Sequence, residues 1–375
     1  MSIFAKIFSK GGTAVGGLDI GASTTKIIQL AASGNNVQLV KVGLCPTPSM
    51  AIKDGVIVEP AQVSESIKQL LASQGIAVKR VVSAVTGQSV VIRPIVMPAM
   101  TEKELQSAIK FGAEQYLPYP VSDAQITGHI LQKPIPGDEK NMEVLLMGAP
   151  KEMVRSAEGV ISQAGLQSEA IELEPLALLR TLNFIFGSQA MQQTVALINL
   201  GASSSSINIY KGGVPKHNRT ISVAGNSFTK VIGQSLNLSF DEAEKLKKEK
   251  GVIRLETDTT QYPPQTMRIF SVITSVLTEL VTEIQRSFDY YRSRYRGESV
   301  DLIILSGGTA KFKNIDKYLA GELGITVELV NPFQKISPAG VPGFSPDELT
   351  ELGSMLLVVL GLAARNLPEQ VLKQA

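Results

Sequence analysis

The feature that most constrains this chain is a phrase it contains twice. The first copy reads Leu18-Asp19-Ile20-Gly21-Ala22-Ser23-Thr24-Thr25-Lys26-Ile27, and the second reads Ile198-Asn199-Leu200-Gly201-Ala202-Ser203-Ser204-Ser205-Ser206-Ile207. Each is an apolar run, a carboxylate or its amide, a glycine, small hydroxyl residues and then alternating apolar positions. That pattern predicts a strand, a tight turn and a returning strand. Gly21 and Gly201 are expected to give the turns backbone conformations closed to other residues, and the small neighbours leave successive N–H groups uncovered as a nest for an anion. One Asp-x-Gly hairpin is by itself only a turn. Two copies in related halves give the turn a task, and two such hairpins face to face would hold a polyphosphate from both sides.

Size and composition narrow the setting. A chain of 375 residues exceeds what one core organises, so two lobes are expected. The formal charge of +2 gives no general case for nucleic acid. A single cysteine, Cys45, excludes a disulfide within the chain and fits a reducing compartment. With only His129 and His217, a multi-histidine metal site is impossible, and both are read as solvated or structural. The opening Met1 to Lys10 spaces apolar residues one helical turn apart beside two lysines, but is too short for a signal sequence; a frayed terminus is expected ahead of a membrane-surface helix. Met355 to Ala364 is apolar yet far below the roughly 20 residues that cross a bilayer, and predicts a buried helix.

Along the first half, Val15 to Leu30 forms the first hairpin, and Gly34-Asn35-Asn36 turns it into a strand from Val37 to Val42. A helix over Ser64 to Ser73 and a buried strand over Val81 to Val85 follow. Val90 to Val96 carries Pro94 and is therefore an edge strand. Thr101-Glu102-Lys103-Glu104 is a capping box opening a helix to about Tyr116. Ile126 to Gln132 and Glu143 to Met147 read as a hairpin, so residues 89–145 form an inserted subdomain, a place where partner specificity tends to reside. A helix over Lys151 to Ala164, a strand over Glu169 to Leu173 and a helix opened by Glu174-Pro175 lead to the second hairpin. Glu174 has two readings: it faces a nucleotide or its water, or it only stabilises the helix dipole.

The second half repeats the plan. Ser239-Phe240-Asp241-Glu242 is another capping box, and its helix carries Glu244 and Lys247 on one face, where the commoner outcome is a solvated ion pair. A long amphipathic helix runs from Met267 to Arg296, its interleaved Tyr and Arg residues read as a dipole-compensated end rather than an RNA surface. Val300 to Leu305 runs into Ser306-Gly307-Gly308-Thr309, where glycines at a strand's carboxyl end leave a flat surface for a planar base.

In this order the motifs resemble the superfamily of actin, hexokinase and the heat-shock chaperones. The resemblance implies a two-lobed, actin-like (ribonuclease-H-like) α/β ATPase fold that clasps ATP with Mg2+. Asp19, Gly21, Ala22, Ser23, Thr24 and Lys26 fall on its first phosphate loop, with Asp19 facing the metal. Gly201, Ala202, Ser203 and Ser204 fall on the second loop, Glu174-Pro175 on the connecting helix, Glu244 and Lys247 on the ribose side, and Gly307, Gly308 and Thr309 on the adenosine motif. Glu174 is then the catalytic candidate, and Asn199 would meet the metal through water. The implied division is an N-terminal segment 1–14, a first lobe of 15–88 and 146–190, the insertion 89–145, and a second lobe of 191–375.

Within the superfamily, the insertion resembles that of FtsA and of the type IV pilus assembly protein PilM family. Thr101-Glu102-Lys103-Glu104-Leu105 with Ala113-Glu114-Gln115-Tyr116-Leu117-Pro118, Glu174-Pro175-Leu176-Ala177-Leu178, and Gln285-Arg286-Ser287-Phe288-Asp289-Tyr290-Tyr291 are similar to the PilM run of motifs. The chain is also expected to lack the linker and membrane-targeting helix of FtsA. The PilM resemblance implies a cytoplasmic ATP-binding platform at the inner membrane, peripheral through its partners, that docks the cytoplasmic N-terminal tail of PilN. Other platform proteins or pilus motor ATPases are further partners it allows. Val90 to Val96 and the helix from Thr101 are expected to form much of the peptide groove. One departure stands out: Asn199 occupies the position of the family's acidic residue, so slow turnover at most is expected. The alternatives are an FtsA-type filament-forming protein and a small-metabolite kinase.

Overall fold

In the computed structural model, which describes residues 15–33, 36–187, 192–336 and 341–368, two five-stranded sheets share one topology. The first half runs β1 (Val15–Ile20), β2 (Thr24–Ser33), β3 (Asn36–Pro46), a two-residue ladder of β4 (Ile52–Lys53) and β5 (Val56–Ile57), helix α1 (Pro60–Ser73) and β6 (Arg80–Val85). After an insertion come α3 (Lys151–Gln163), β10 (Gln167–Leu173) and α4 (Glu174–Phe186). The sheet order is β10-β6-β1-β2-β3: an antiparallel meander with two parallel strands beside β1.

The second half repeats this arrangement. It comprises β11 (Thr194–Leu200), β12 (Ser205–Lys211), β13 (Val214–Ile221), α5 (Gly225–Leu236), α6 (Phe240–Lys250), α7 (Pro264–Arg294), β14 (Leu302–Ser306), α8 (Ile315–Leu323), β15 (Thr326–Leu329), α9 (Pro346–Leu352) and α10 (Leu357–Ala363). Its order, β13-β12-β11-β14-β15, is again a meander plus two parallel strands. The duplication visible in one turn therefore extends to the whole sheet.

Between the sheets lie α4 and α10, which have little exposed face. All seven residues of α10 are buried, and Leu178 and Leu182 share a core with Leu357, Leu360, Ile28 and Leu197. The backbones approach so closely that a Cβ on Gly361 would sit 2.0 Å from the Ala177 carbonyl, and one on Gly17 2.4 Å from that of Val359. Buried charges there are paired: Arg180 grips Glu172 with both terminal nitrogens (3.0 and 2.9 Å) and donates to the Gly361 carbonyl, and Arg365 joins the same carboxylate. The apolar run ending at Ala364 is thus a buried helix, and among the described residues no helix is long and apolar enough to cross a membrane.

The insertion comprises β7 (Val91–Pro98), α2 (Glu102–Ala113), β8 (Ala124–Gln132) and β9 (Asn141–Pro150), in the sheet order β7-β9-β8. Pro94 lies on the edge strand, where a missing N–H costs no ladder bond. The capping box forms: Thr101 Oγ1 accepts from the Glu104 N–H at 3.3 Å, and Glu104 Oε2 accepts from the Thr101 N–H at 2.7 Å. Leu105, Ile109 and Ala113 then pack on Ile95, Met142 and Val144 of the insertion's own sheet.

Some boundaries move. Helix α1 starts at Pro60 rather than Ser64: proline at its first position needs no N–H partner, and Val63 already opens the buried stripe that Ile67 and Leu70 continue. The readings for Met1 to Lys10, for Gly34-Asn35 and for the chain beyond residue 368 lie outside the described residues.

Candidate nucleotide cleft and peptide groove

The β1–β2 and β11–β12 turns line one cleft of about 450 Å³. The glycines serve it differently from the expectation. Neither Gly21 nor Gly201 has a positive φ; what each turn requires is a missing side chain. A Cβ on Gly201 would lie 2.5 Å from the Ser204 carbonyl of its own loop, and one on Gly21 2.9 Å from that of Thr24. Ala22, Ser23 and Thr24 in the first loop, and Ala202, Ser203 and Ser204 in the second, edge the same space.

Both loops are braced from outside, by Thr309 and by three residues the sequence did not single out for the site, Thr47, Gly225 and Asn226. Thr47 Oγ1 donates to the Gly21 carbonyl at 2.7 Å and meets Thr25 Oγ1 at 2.9 Å. The Gly201 carbonyl accepts from the Gly225 N–H at 2.9 Å and from Thr309 Oγ1 at 2.8 Å, and the Ala202 carbonyl accepts from the Asn226 N–H at 2.7 Å. Thr309 lines the cleft, but its hydroxyl is spent on the loop. Nothing in local spacing announces Thr47, 26 residues from Gly21.

Asp19 and Lys26 are cross-strand neighbours, and Lys26 Nζ meets Asp19 Oδ2 at 2.7 Å. Glu174, at the first position of α4, is buried at the cleft's floor; its Oε1 accepts from Ser206 Oγ at 2.6 Å and from Asn199 Nδ2 at 3.2 Å. Burial pushes its carboxyl above the usual range, hydrogen bonding from Ser206, Asn199 and Thr86 opposes this, and the charge of Asp19 adds to the rise. Asn199 Oδ1 in turn accepts from Ser306 Oγ at 3.2 Å, so its amide is engaged at both ends.

Glu244 and Lys247 do form an ion pair, at 2.6 Å, but not the solvated one expected of their spacing. Lys247 is buried and also donates to Thr229 Oγ1 (2.8 Å) and to the Gly225 carbonyl (3.0 Å), tying α6 to the start of α5. Burial alone would raise the Glu244 carboxyl; the Lys247 and Thr229 bonds hold it below its ordinary value. Burial lowers Lys247, and the Glu244 charge opposes that. At the end of β14, Gly307 takes φ +92°, and a Cβ there would meet the Leu200 carbonyl at 2.3 Å. Gly308 faces the cleft below Met355, and Phe312 supplies a further apolar wall.

A second concavity, about 710 Å³, lies between the insertion and the second sheet. Its walls are two sheet edges, β7 and β13, with Tyr290 and Arg294 of α7. Of the expected stretch Val90 to Val96, Val90 to Pro94 line it, while Ile95 is buried in the insertion's own core and Val96 lies outside the lining. Helix α2 does not, because its apolar face is consumed by the insertion's core; the turn after it, Gln115 to Pro118, takes that place. His217 lines the groove with its ring 4.9 Å from that of Tyr290. Burial, together with Arg219 and Arg93, lowers its pKa to about 4, so the imidazole is neutral at pH 7.

Duplicated meander-plus-parallel sheets clasping a cleft through two glycine turns define an actin-like ATPase fold. Solved structures agree: the ethanolamine utilization protein EutJ of Carboxydothermus hydrogenoformans covers 96% of this chain and 94% of its own, with a TM-score of 0.57 and 13% identity. The sequence matches the family described as type IV pilus assembly protein PilM over residues 17–367, and the chain belongs to that family. It is similar to the structure of a "PilM-PilN type IV pilus biogenesis complex", at 29% identity and a TM-score of 0.81, covering 94% of this chain and 98% of that one. The cell division protein FtsA of Bacillus subtilis is 25% identical over 62% of this chain, a stretch that spans only 57% of FtsA. FtsA of Streptococcus pneumoniae is 21% identical over 85% of this chain and 75% of its own length.

Proposed function

We propose that this protein is an ATP-binding scaffold of the type IV pilus assembly platform, with the nucleotide in the cleft and the cytoplasmic N-terminal tail of a PilN protein in the groove between β7 and β13. The observation that carries the reading is the convergence of both glycine turns on one cleft in a chain of the PilM family. Backbone N–H groups of the two loops and Lys26 would hold the triphosphate. The Glu244–Lys247 corner would lie at the ribose and the Gly307-Gly308 surface at the base.

The donor set fits Mg2+ that stays largely hydrated. Among the described residues no cluster of three His, Cys, Asp or Glu could hold a metal alone, and Mg2+ is ordinarily held by one or two carboxylates plus substrate phosphates. Asp19 is that carboxylate. Asn199 contributes an amide already engaged by Glu174 and Ser306, and an amide adds no charge at the metal's water shell. Slow turnover follows, with Glu174 as the group nearest to a role in it; steady-state hydrolysis above roughly one per second would refute this.

The groove suits an extended peptide because two strand edges offer main-chain bonds beside a mixed lining of apolar residues such as Ile92 and Tyr290 and charged ones such as Arg93 and Arg294. Membrane association is then peripheral, through the partner. A synthetic PilN-tail peptide should bind the full chain, Tyr290→Ala should weaken it by about tenfold as loss of an aromatic anchor, and Phe111→Ala, exposed on α2 away from the groove, should leave it unchanged. Equal loss from both substitutions, or from neither, would refute this groove as the site. Pelleting on addition of ATP would favour the FtsA-type filament reading.

A further inference from the structure

Cleft and groove are joined through the interior by one line of side chains. Asn218, in the groove wall, donates from Nδ2 to Asn208 Oδ1 at 2.7 Å. Asn208 Nδ2 donates to Ser206 Oγ at 3.1 Å, and Ser206 Oγ donates to Glu174 Oε1, in the cleft, at 2.6 Å. Asn208 and Ser206 are almost completely buried, so water cannot substitute for a missing partner. Three hydrogen bonds thus point the same way, from the groove toward a carboxyl group, and bonds aligned in this manner polarise one another.

Sheet register explains how such a line arises. Asn208 and Asn218 are cross-strand partners on β12 and β13, Ser206 lies two residues from Asn208 on the same strand, and Ser206 is the partner of Asn199 on β11. All therefore share the face that meets α4, where Tyr210, two residues further along, donates to the Pro175 carbonyl at 2.7 Å. The opposite face of β12, Ile207 and Ile209, belongs to the second sheet's own core.

We infer that this buried line couples the two sites, so that occupancy of the cleft alters the groove through Ser206, Asn208 and Asn218; the inference rests on the nucleotide reading above. The line has two self-consistent arrangements. In the observed one, the single hydroxyl proton of Ser206 is given to Glu174. If Glu174 turns to a bound nucleotide or its water, that proton is free for another acceptor. Rotation of the Asn208 amide by half a turn then presents Oδ1 to Ser206, at the cost of the long 3.4 Å bond from Asn208 Nδ2 to the Leu197 carbonyl. Asn218 must rotate to match, which exchanges the amide atom it offers to the groove. No proton changes residue; only the direction of donation reverses.

The test is the ATP affinity of the full chain carrying changes outside the cleft. Asn218→Ala lies in the groove wall, and by this inference it should shift the calorimetric Kd for Mg-ATP by roughly two- to thirty-fold, the span observed for substitutions along coupled networks. In a Ser206→Ala background the same substitution should shift it less than 1.5-fold, because the line is already cut; Asn208→Leu serves as a second background if Ser206→Ala does not fold. An unaltered Kd in Asn218→Ala, or an equal shift in the cut backgrounds, overturns the coupling. Absence of ATP binding by the unaltered chain overturns the nucleotide reading and the coupling with it. In a second arm, the tail peptide should bind with a different Kd in the presence of ATP, and the peptide should change the ATP Kd by the same factor. A peptide that does not bind refutes the docking reading alone, since the Asn218 result stands without it.

Discussion

Restoring an acid at position 199 should damage the fold rather than improve the site, and the damage should depend on pH in a calculable way. Asn199 Nδ2 lies 3.2 Å from Glu174 Oε1 in a buried corner. Asn199→Asp would set two carboxylates at that distance, where an effective dielectric of about 20 gives a repulsion of about 5 kcal/mol. Keeping one acid protonated at pH 7 costs at most about 4 kcal/mol, the figure for an ordinary value near 4.3, and less to the extent that burial already raises Glu174. Protonation is the cheaper outcome, so the folded variant takes up a proton that the unfolded chain does not hold. A folded-state pKa raised in this way means stability is lost as pH rises and regained as it falls toward the unfolded value. The variant should therefore be less stable than the parent at pH 7, by up to about 4 kcal/mol, and recover up to about 2 kcal/mol of that deficit at pH 5.5. Urea unfolding of both proteins at the two pH values measures it. The swap Glu174→Gln with Asn199→Asp restores one carboxylate and one amide, and should return to within about 1 kcal/mol of the parent. A deficit independent of pH, or a swap no better than the single change, would refute the reasoning.

Two further outcomes follow from packing and charge. Gly201→Ala forces a Cβ to 2.5 Å from a backbone carbonyl, whereas Gly21→Ala forces one to only 2.9 Å, so calorimetry should find ATP affinity reduced more by the former; the reverse order would show that the loops are not the determinant. Arg180→Met leaves Glu172 buried with Arg365 as its remaining cation, and should cost about 3–5 kcal/mol in chemical unfolding, as breaking a buried pair does; a cost below about 1 kcal/mol would mean the carboxylate relaxes to water.

Much of this protein was legible because its motifs are local. A capping box needs only four consecutive residues, so Thr101 to Glu104 reads correctly without its surroundings. The glycine turns were legible in position but not in cause: sequence announces that a side chain is forbidden, and only coordinates show that the loop's own carbonyl, not a left-handed φ, forbids it. The alternation in Ser205-Ser206-Ile207-Asn208-Ile209-Tyr210 misleads more deeply. Read by period alone it is a strand with one face in water. In the fold both faces are buried, the apolar one in the second sheet's core and the polar one against α4, so the serine and asparagine must find partners in each other. Glu174 was open to two readings for the same reason, since a carboxylate at a helix start satisfies the dipole wherever it points. What holds its carboxyl is a residue 25 positions away, Asn199, together with Ser206, 32 away. An amide at 199 therefore has a structural reason that a motif comparison cannot supply: it is the uncharged donor that a buried glutamate at 174 requires.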